Sequence, residues 1–213
     1  MLIVGLTGSI GMGKTTVAEH IASRGVPVLD SDAVVHRLYE GEAVPHIEAA
    51  FPQTTAGGAV DRARLAAAAL AAPDGFARLE AVVHPLVRNA QWQFLREQMA
   101  AGAPLCVLDI PLLFETGGDK LVDVSVVVSA PEAVQSERVL ARPGMTAEKL
   151  AAIRARQMPD AEKRARASYV IDTGLPLDET KAEVDKLLES LKNRAGDKFA
   201  LWRALYEGSP GDV

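Results

Sequence analysis

The chain has 213 residues, a formal net charge of −5 and a pI near 5.4. That length suits one globular unit with room for an inserted subdomain, and the acidic balance argues against bulk electrostatic binding to nucleic acid. Hydrophobic residues make up 48% of the chain, too many for a disordered one. The one cysteine, Cys106, excludes an internal disulfide and fits a reducing compartment.

From Met1 to Thr7 the chain lacks a basic start and reaches glycine at Gly5, so it reads as a strand and not a leader peptide. No stretch approaches the run of about 18 apolar residues that a membrane helix needs. A soluble cytoplasmic protein is expected. Leu2 to Thr7 is a buried strand, followed by a helix from Gly13 to Arg24 with Val17 and Ile21 spaced i, i+4. Val26 to Asp30 is a second strand, and Asp32 starts a helix carrying Val35, His36 and Tyr39. Strand–helix alternation of this kind implies a parallel sheet with helices on both faces.

From Ala43 to Ala101 no strand is expected. Leu65 to Ala72 is alanine-rich and helical by propensity. Phe76, Leu79 and Val83 form one helical face, and Pro85 should end that helix and open the next, which runs to Ala101. Strands return at Leu105–Ile110 and Val122–Val128, followed by a helix from Pro131 to Ala141. Residues 137–167 carry eight basic against four acidic residues, net +4 within an acidic chain. Tyr169–Asp172 is a last short strand, making five in all, and Leu177, Val184, Leu188 and Leu191 mark a closing amphipathic helix. Phe199, Trp202 and Tyr206 suggest one more helix against the body.

The segment Gly8-Ser9-Ile10-Gly11-Met12-Gly13-Lys14-Thr15 matches G-x-x-x-x-G-K-[ST], placed between a strand and a helix. Glycines allow backbone angles closed to other residues and let amides approach phosphates. The amides and the positive end of the following helix ring a β-phosphate. Lys14 supplies charge to the β- and γ-phosphates, and the Thr15 hydroxyl is a ligand for Mg²⁺. The loop names a nucleoside triphosphate and leaves the reaction open. No N-K-x-D segment is present to read guanine, which argues against a switch GTPase. Asp30 and Asp32 lie at the end of the second strand, where ligands bind in open parallel sheets. Asp32 and His36, four apart, share a helix face. A carboxylate there could take the proton of an attacking hydroxyl, or Asp30 could simply cap the helix. Asp109, at the end of the third strand, could bind magnesium through water or merely be solvated.

Four blocks carry a family resemblance: Leu6 to Thr15; Asp30-Ser31-Asp32 with His36; Val83-His84-Pro85-Leu86; and Asp109-Ile110-Pro111-Leu112-Leu113-Phe114-Glu115. Glu137-Arg138, Arg142, Gln157 and Val170-Ile171-Asp172 agree as well. The chain resembles the dephospho-coenzyme A kinase family to about residue 190. The His-Pro pair and the Pro-Leu-Leu-Phe-Glu segment are much more specific than the phosphate loop. The resemblance implies an α/β P-loop kinase core with a five-stranded parallel sheet, a helical substrate-binding insertion over 41–101 and a lid over 137–167. The core then comprises 1–40, 102–136 and 168–213. It implies ATP as phosphoryl donor, Mg²⁺, and transfer to the ribose 3′-hydroxyl of dephospho-CoA. By that likeness Asp32 is the general base, with Lys14 and Arg138 also catalytic. Gly8, Gly11, Met12, Gly13, Lys14, Thr15, Thr16 and Arg142 hold the nucleotide. Asp32, His36, His84 and Glu115 meet the acceptor, and Thr15 and Asp109 the metal. No membrane, nucleic acid or obligatory protein partner is implied. The chain departs from the family at Pro143-Gly144 and at Thr173, where members often carry an acidic residue and an asparagine.

Overall fold

The computed structural model describes residues 1–207. They form two compact units, one built from residues 1–29 and 95 onward, the other from 30–94. The six C-terminal residues that the sequence reading assigned to the core lie outside the described residues.

The first unit is organised by its sheet. Its strands are β1 (Leu2–Thr7), β2 (Val28–Asp30, whose last residue opens the second unit), and further along β5 (Leu105–Asp109), β6 (Val124–Ser129) and β7 (Tyr169–Asp172). Their spatial order is β2-β5-β1-β6-β7. The pairs β1–β5, β1–β6 and β6–β7 are parallel, with Leu6 beside Asp109 and Val126. β1, β5 and β6 are buried along their whole length, so they read as continuous apolar runs, as both faces are covered. Leu2, Val4 and Leu6 point to one face, where Val17 and Ile21 of α1 (Lys14–Ser23) and Val184, Leu187 and Leu191 of a late helix, Leu177–Leu191, join them. On the other face the last helix, Lys198–Glu207, buries Trp202 and donates its indole N–H to the Leu121 carbonyl at 2.8 Å. Each buried Leu or Ile contributes about 1.5–3 kcal/mol, so this two-sided core dominates the unit's stability. The chain leaves β1 toward β2 and β5 and then crosses β1 to reach β6. The loop after β1 therefore sits where the winding reverses, the position at which such sheets bind ligands.

The second unit contains α2 (Ser31–Leu38), α3 (Ala43–Ala50), a hairpin of β3 (Thr55–Ala56) and β4 (Ala59–Val60), α4 (Arg62–Ala71) and most of α5 (Gly75–Ala100). Two expectations change here. A hairpin stands where no strand was expected. Its two-residue turn, Gly57-Gly58, has φ of 60° and 83°, both positive as tight hairpin turns require. The Gly-Gly pair was the available signal, but strands of two residues are too short to show alternation. The expected break at Pro85 is also absent, because α5 runs through it. A proline inside a helix costs about 3 kcal/mol or more. Val83, Trp92 and Leu95 of the same helix are buried, and at about 1.5–3 kcal/mol each they outweigh that cost. Pro85 itself faces solvent.

Three of the remaining helices were expected, α6 (Glu132–Leu140), α9 (Leu177–Leu191) and α10 (Lys198–Glu207), while α7 (Ala147–Arg154) and α8 (Asp160–Arg166) stand in the basic stretch, where no helix was assigned. Cys106 is fully buried in β5, and burial pushes its thiol up to about 12.

Candidate active site

The loop from Gly8 to Thr15 is held in shape by the rest of the first unit. A Cβ on Gly8 would sit 2.3 Å from Val128 Cγ2 and 2.9 Å from the Val128 carbonyl, so only glycine fits beside β6. Gly11 and Gly13 have φ of 76° and 81°, in the left-handed region, and Gly13 caps α1. Both polar groups of the Ile10 backbone are occupied from a distance. Its N–H donates to Gln157 Oε1 at 3.1 Å, and its carbonyl accepts from Gln135 Nε2 at 2.7 Å. The Met12 carbonyl accepts from the Thr173 hydroxyl at 2.7 Å, and that hydroxyl also lies 3.0 Å from the Ser129 carbonyl. The Ala130 N–H points at the Met12 sulfur, 3.2 Å away.

Lys14 opens α1, with its ammonium bonded to Asp109 Oδ1 at the end of β5. Asp109 is 3% exposed. Thr15 and Thr16 follow on the first helical turn, both exposed. Of the expected nucleotide-binding residues, those from Gly8 to Thr16 are contiguous, with Asp109 against Lys14, and Arg142 lies elsewhere in the chain. Among the described residues no group of three or more His, Cys, Asp or Glu side chains could hold a metal ion. A cation here would draw on the Thr15 hydroxyl, the Asp109 carboxylate and ligand oxygens, an oxygen-only set of the sort Mg²⁺ favours.

Asp30, Asp32, His36 and His84 belong to the second unit. Asp30 is the N-cap of α2, with Oδ1 accepting from the Asp32 and Ala33 amides at 2.8 and 3.1 Å. Capping is thus its structural part, contributing about 1 kcal/mol. Asp32 and His36 are both exposed on α2, on the shared side that their spacing implies. His84 is half-buried in α5, beside Pro85. In the same unit, Gln91 of α5 donates to the Ser31 hydroxyl at 3.2 Å, which ties α5 to the start of α2.

The basic stretch contributes in several ways. Arg138 of α6 donates to the Thr173 carbonyl at 2.7 Å, and Arg142, just after α6, is exposed. Arg154 binds Glu132 at 2.8 Å, Gln135 at 2.5 Å and Ser136 at 3.0 Å, which fixes the end of α7 to α6. Beside the phosphate loop, Ser9, Met12, Gln135, Arg154, Gln157 and Asp160 line part of a cleft of about 450 Å³. Glu115 lies on the segment after β5. Its Oε1 accepts from the Met158 amide at 2.9 Å and is 2.8 Å from the Lys163 ammonium. The parts that Gln135, Thr173 and Lys163 play were not legible in the sequence. Each acts through a contact across 48 or more positions, on a residue type that is common anywhere in a helix or loop. Thr173, where the chain departs from the family pattern, bonds to the Met12 carbonyl through its hydroxyl.

The fold and loop together define a P-loop phosphotransferase of the small-molecule kinase type. A protein of Thermus thermophilus, TT1252, superposes with a TM-score of 0.77 at 39% identity over 89% of this chain and 97% of its own. A dephospho-CoA kinase from Campylobacter jejuni does so with a TM-score of 0.66 at 22% identity over 89% and 96%, a likeness of fold alone. The family model described as dephospho-CoA kinase matches residues 2–178, and the dephospho-CoA kinase of Rhodopseudomonas palustris CGA009 is 57% identical over 190 residues, covering 89% of this chain and 96% of its own. The chain belongs to the dephospho-CoA kinase family.

Proposed function

We propose that the chain transfers the γ-phosphoryl group of ATP to the ribose 3′-hydroxyl of dephospho-CoA, giving ADP and CoA, the last step of coenzyme A biosynthesis. The observation that carries this reading is the extent of the family match. Residues 2–178 take in the phosphate loop, all of the 30–94 unit and the segment through Glu115, the donor and acceptor halves alike.

Phosphoryl transfer needs positioning and charge neutralisation more than covalent chemistry. The amides of Gly11 to Thr16 and the Lys14 ammonium receive the phosphates, with Gly8 allowing the loop to lie against β6. Arg138 and Arg142 add charge from the 137–167 segment, which serves as a lid that excludes water when closed. Asp32 accepts the proton of the 3′-hydroxyl as it attacks in line. His36, His84 and Glu115 orient the acceptor. Mg²⁺, held by Thr15 and through water by Asp109, would neutralise phosphate charge when bound. The 41–101 stretch serves as the acceptor-binding insertion, and the two core segments flanking it, with 168–213, bind the nucleotide. We place the protein in the cytoplasm. No described helix is long and apolar enough to cross a membrane, and the reading needs no nucleic acid or protein partner.

The test is acceptor choice. Purified protein with ATP and magnesium is given dephospho-CoA, or nucleosides and nucleoside monophosphates in parallel. ADP release with dephospho-CoA alone is expected. Release no higher than background with dephospho-CoA would overturn the reading.

A further inference from the structure

Lys163 has no part in the chemistry derived above, yet it is the one lysine counted among the fully buried large side chains of the described residues, at 0% exposure. A lysine is almost never buried so completely unless its charge is met. Its ammonium lies 2.8 Å from Glu115 Oε1, and the approach angle makes this an ion pair without a well-formed hydrogen bond. The same oxygen accepts from the Met158 amide. Glu115 Oε2 is buried without a hydrogen-bond partner.

Further contacts tie α8 to its neighbours. Three residues along α8 from Lys163, Arg166 binds Asp119 at 3.0 Å and lies over the Phe114 ring at 4.8 Å. Asp160, at the start of α8, accepts from the Ser129 hydroxyl at 2.7 Å. α8 is thereby docked on the segment after β5 and on the end of β6. The residue preceding Met158 is Gln157, whose side chain accepts from the Ile10 amide inside the phosphate loop. One carboxylate oxygen therefore stands two links from the phosphate loop: Glu115 to the Met158 amide, then Gln157 to Ile10.

We propose that Lys163 is a positioning residue for nucleotide binding: it holds Glu115 on the Met158 amide, so that Gln157 stays bonded to Ile10 and the phosphate loop keeps its binding shape. This rests on the kinase reading for its consequence, but ATP binding can be measured with no acceptor present. A failure of the acceptor assignment would leave the test intact.

Titration calorimetry with ATP and magnesium is run on Lys163→Met, on Gln157→Ala and on the double variant. Exchange of the Ile10 amide is followed by NMR in the same proteins. Loss of one hydrogen bond that shapes the loop should weaken ATP binding about five- to tenfold in each single variant. The double variant should be no weaker than the worse single one, and the Ile10 amide should exchange faster in all three. Where Lys163→Met does not fold, Glu115→Leu/Lys163→Met takes its place, since an apolar pair of similar size removes the buried charges together and tends to preserve stability. A role in stability alone predicts wild-type ATP affinity in that folded pair variant. That result would overturn the proposal, as would a double variant whose loss equals the product of the two single losses.

Discussion

Replacing Thr173 with valine tests how the rest of the chain keeps the phosphate loop in shape. The change keeps the side-chain shape and removes only the hydroxyl. That hydroxyl is 2.7 Å from the Met12 carbonyl and 3.0 Å from the Ser129 carbonyl, and one proton cannot fully serve both. The Ser129 carbonyl keeps a second donor, the Thr173 amide at 2.8 Å. The loss therefore falls on Met12, next to Gly13. Thr173 is 5% exposed, so water cannot readily replace the bond, and stranding a buried acceptor costs about 1–3 kcal/mol. For a chain of this size that is a fall in Tm of roughly 2–12 °C. If half of the cost is felt in the loop, ATP affinity falls by about two- to twelvefold. Thr173→Ser is the control. It keeps the hydroxyl and loses a methyl group that packs near Gly13, a cost of about 0.8 kcal/mol. Thermal melts and calorimetric titration with ATP read both effects. If the valine and serine variants match in Tm and in ATP affinity, the hydroxyl does not hold the loop and the reasoning fails.

Three further outcomes are expected. Asp32→Asn should lower kcat for dephospho-CoA by roughly 10²–10⁴ with ATP binding unchanged, and near-normal turnover would remove Asp32 as the base. Gly8→Ala should destabilise by about 1–3 kcal/mol, as its new methyl meets Val128 at 2.3 Å in a buried strand; a denaturation midpoint equal to wild type would show that β6 yields. Burial raises the Cys106 thiol to about 12 from an ordinary 9.0, so its share of stability is complete below the unfolded value and is lost as pH rises toward 12. A thiol reagent at pH 8 should accordingly react only on unfolding, and prompt reaction with the native protein would contradict that burial.

What the sequence revealed depended on how local each feature was. β1, the phosphate loop and α1 were legible because the strand, the glycines and the first helical turn are contiguous, and each demands particular residue types. The five strands were found in order, with only their ends displaced: β2 begins at Val28 and not Val26, and β6 at Val124 and not Val122. Pro85 misled because helix propensity is local, whereas the burial of Val83, Trp92 and Leu95 that carries α5 past it is tertiary. Asp30 was legible as a cap or as a functional carboxylate, and only the two amide bonds to its Oδ1 establish the capping role. The bonds to Ile10 and Met12 could not be read. Their partners lie 125 to 161 positions away and are two glutamines and a threonine, of which Gln157 stood out only as a position that matches the family.

Those distant bonds bear on how the site binds a nucleotide. A loop that must be ordered on binding loses affinity by the entropy of ordering. Here both polar groups of Ile10 and the carbonyl of Met12 are bonded to distant parts of the chain itself, so folding supplies most of that ordering. Lys14 is the exception. Its ammonium is bonded to Asp109, and a phosphate must draw it away from that carboxylate. The exchange costs little in charge terms, because one anion replaces another at the ammonium. It also changes Asp109, whose bond to Lys14 weakens as the phosphates take the cation. Asp109 is buried, and a buried carboxylate favours positive charge close by, so it can receive a cation as the phosphates take up the ammonium. Phosphate binding and metal binding at this site should therefore be mutually reinforcing. ATP affinity should rise with magnesium in the wild type, and rise by a smaller factor in Asp109→Asn, which has no charge to rebalance. An equal magnesium dependence in the two proteins, measured by calorimetry, would remove Asp109 from the coupling.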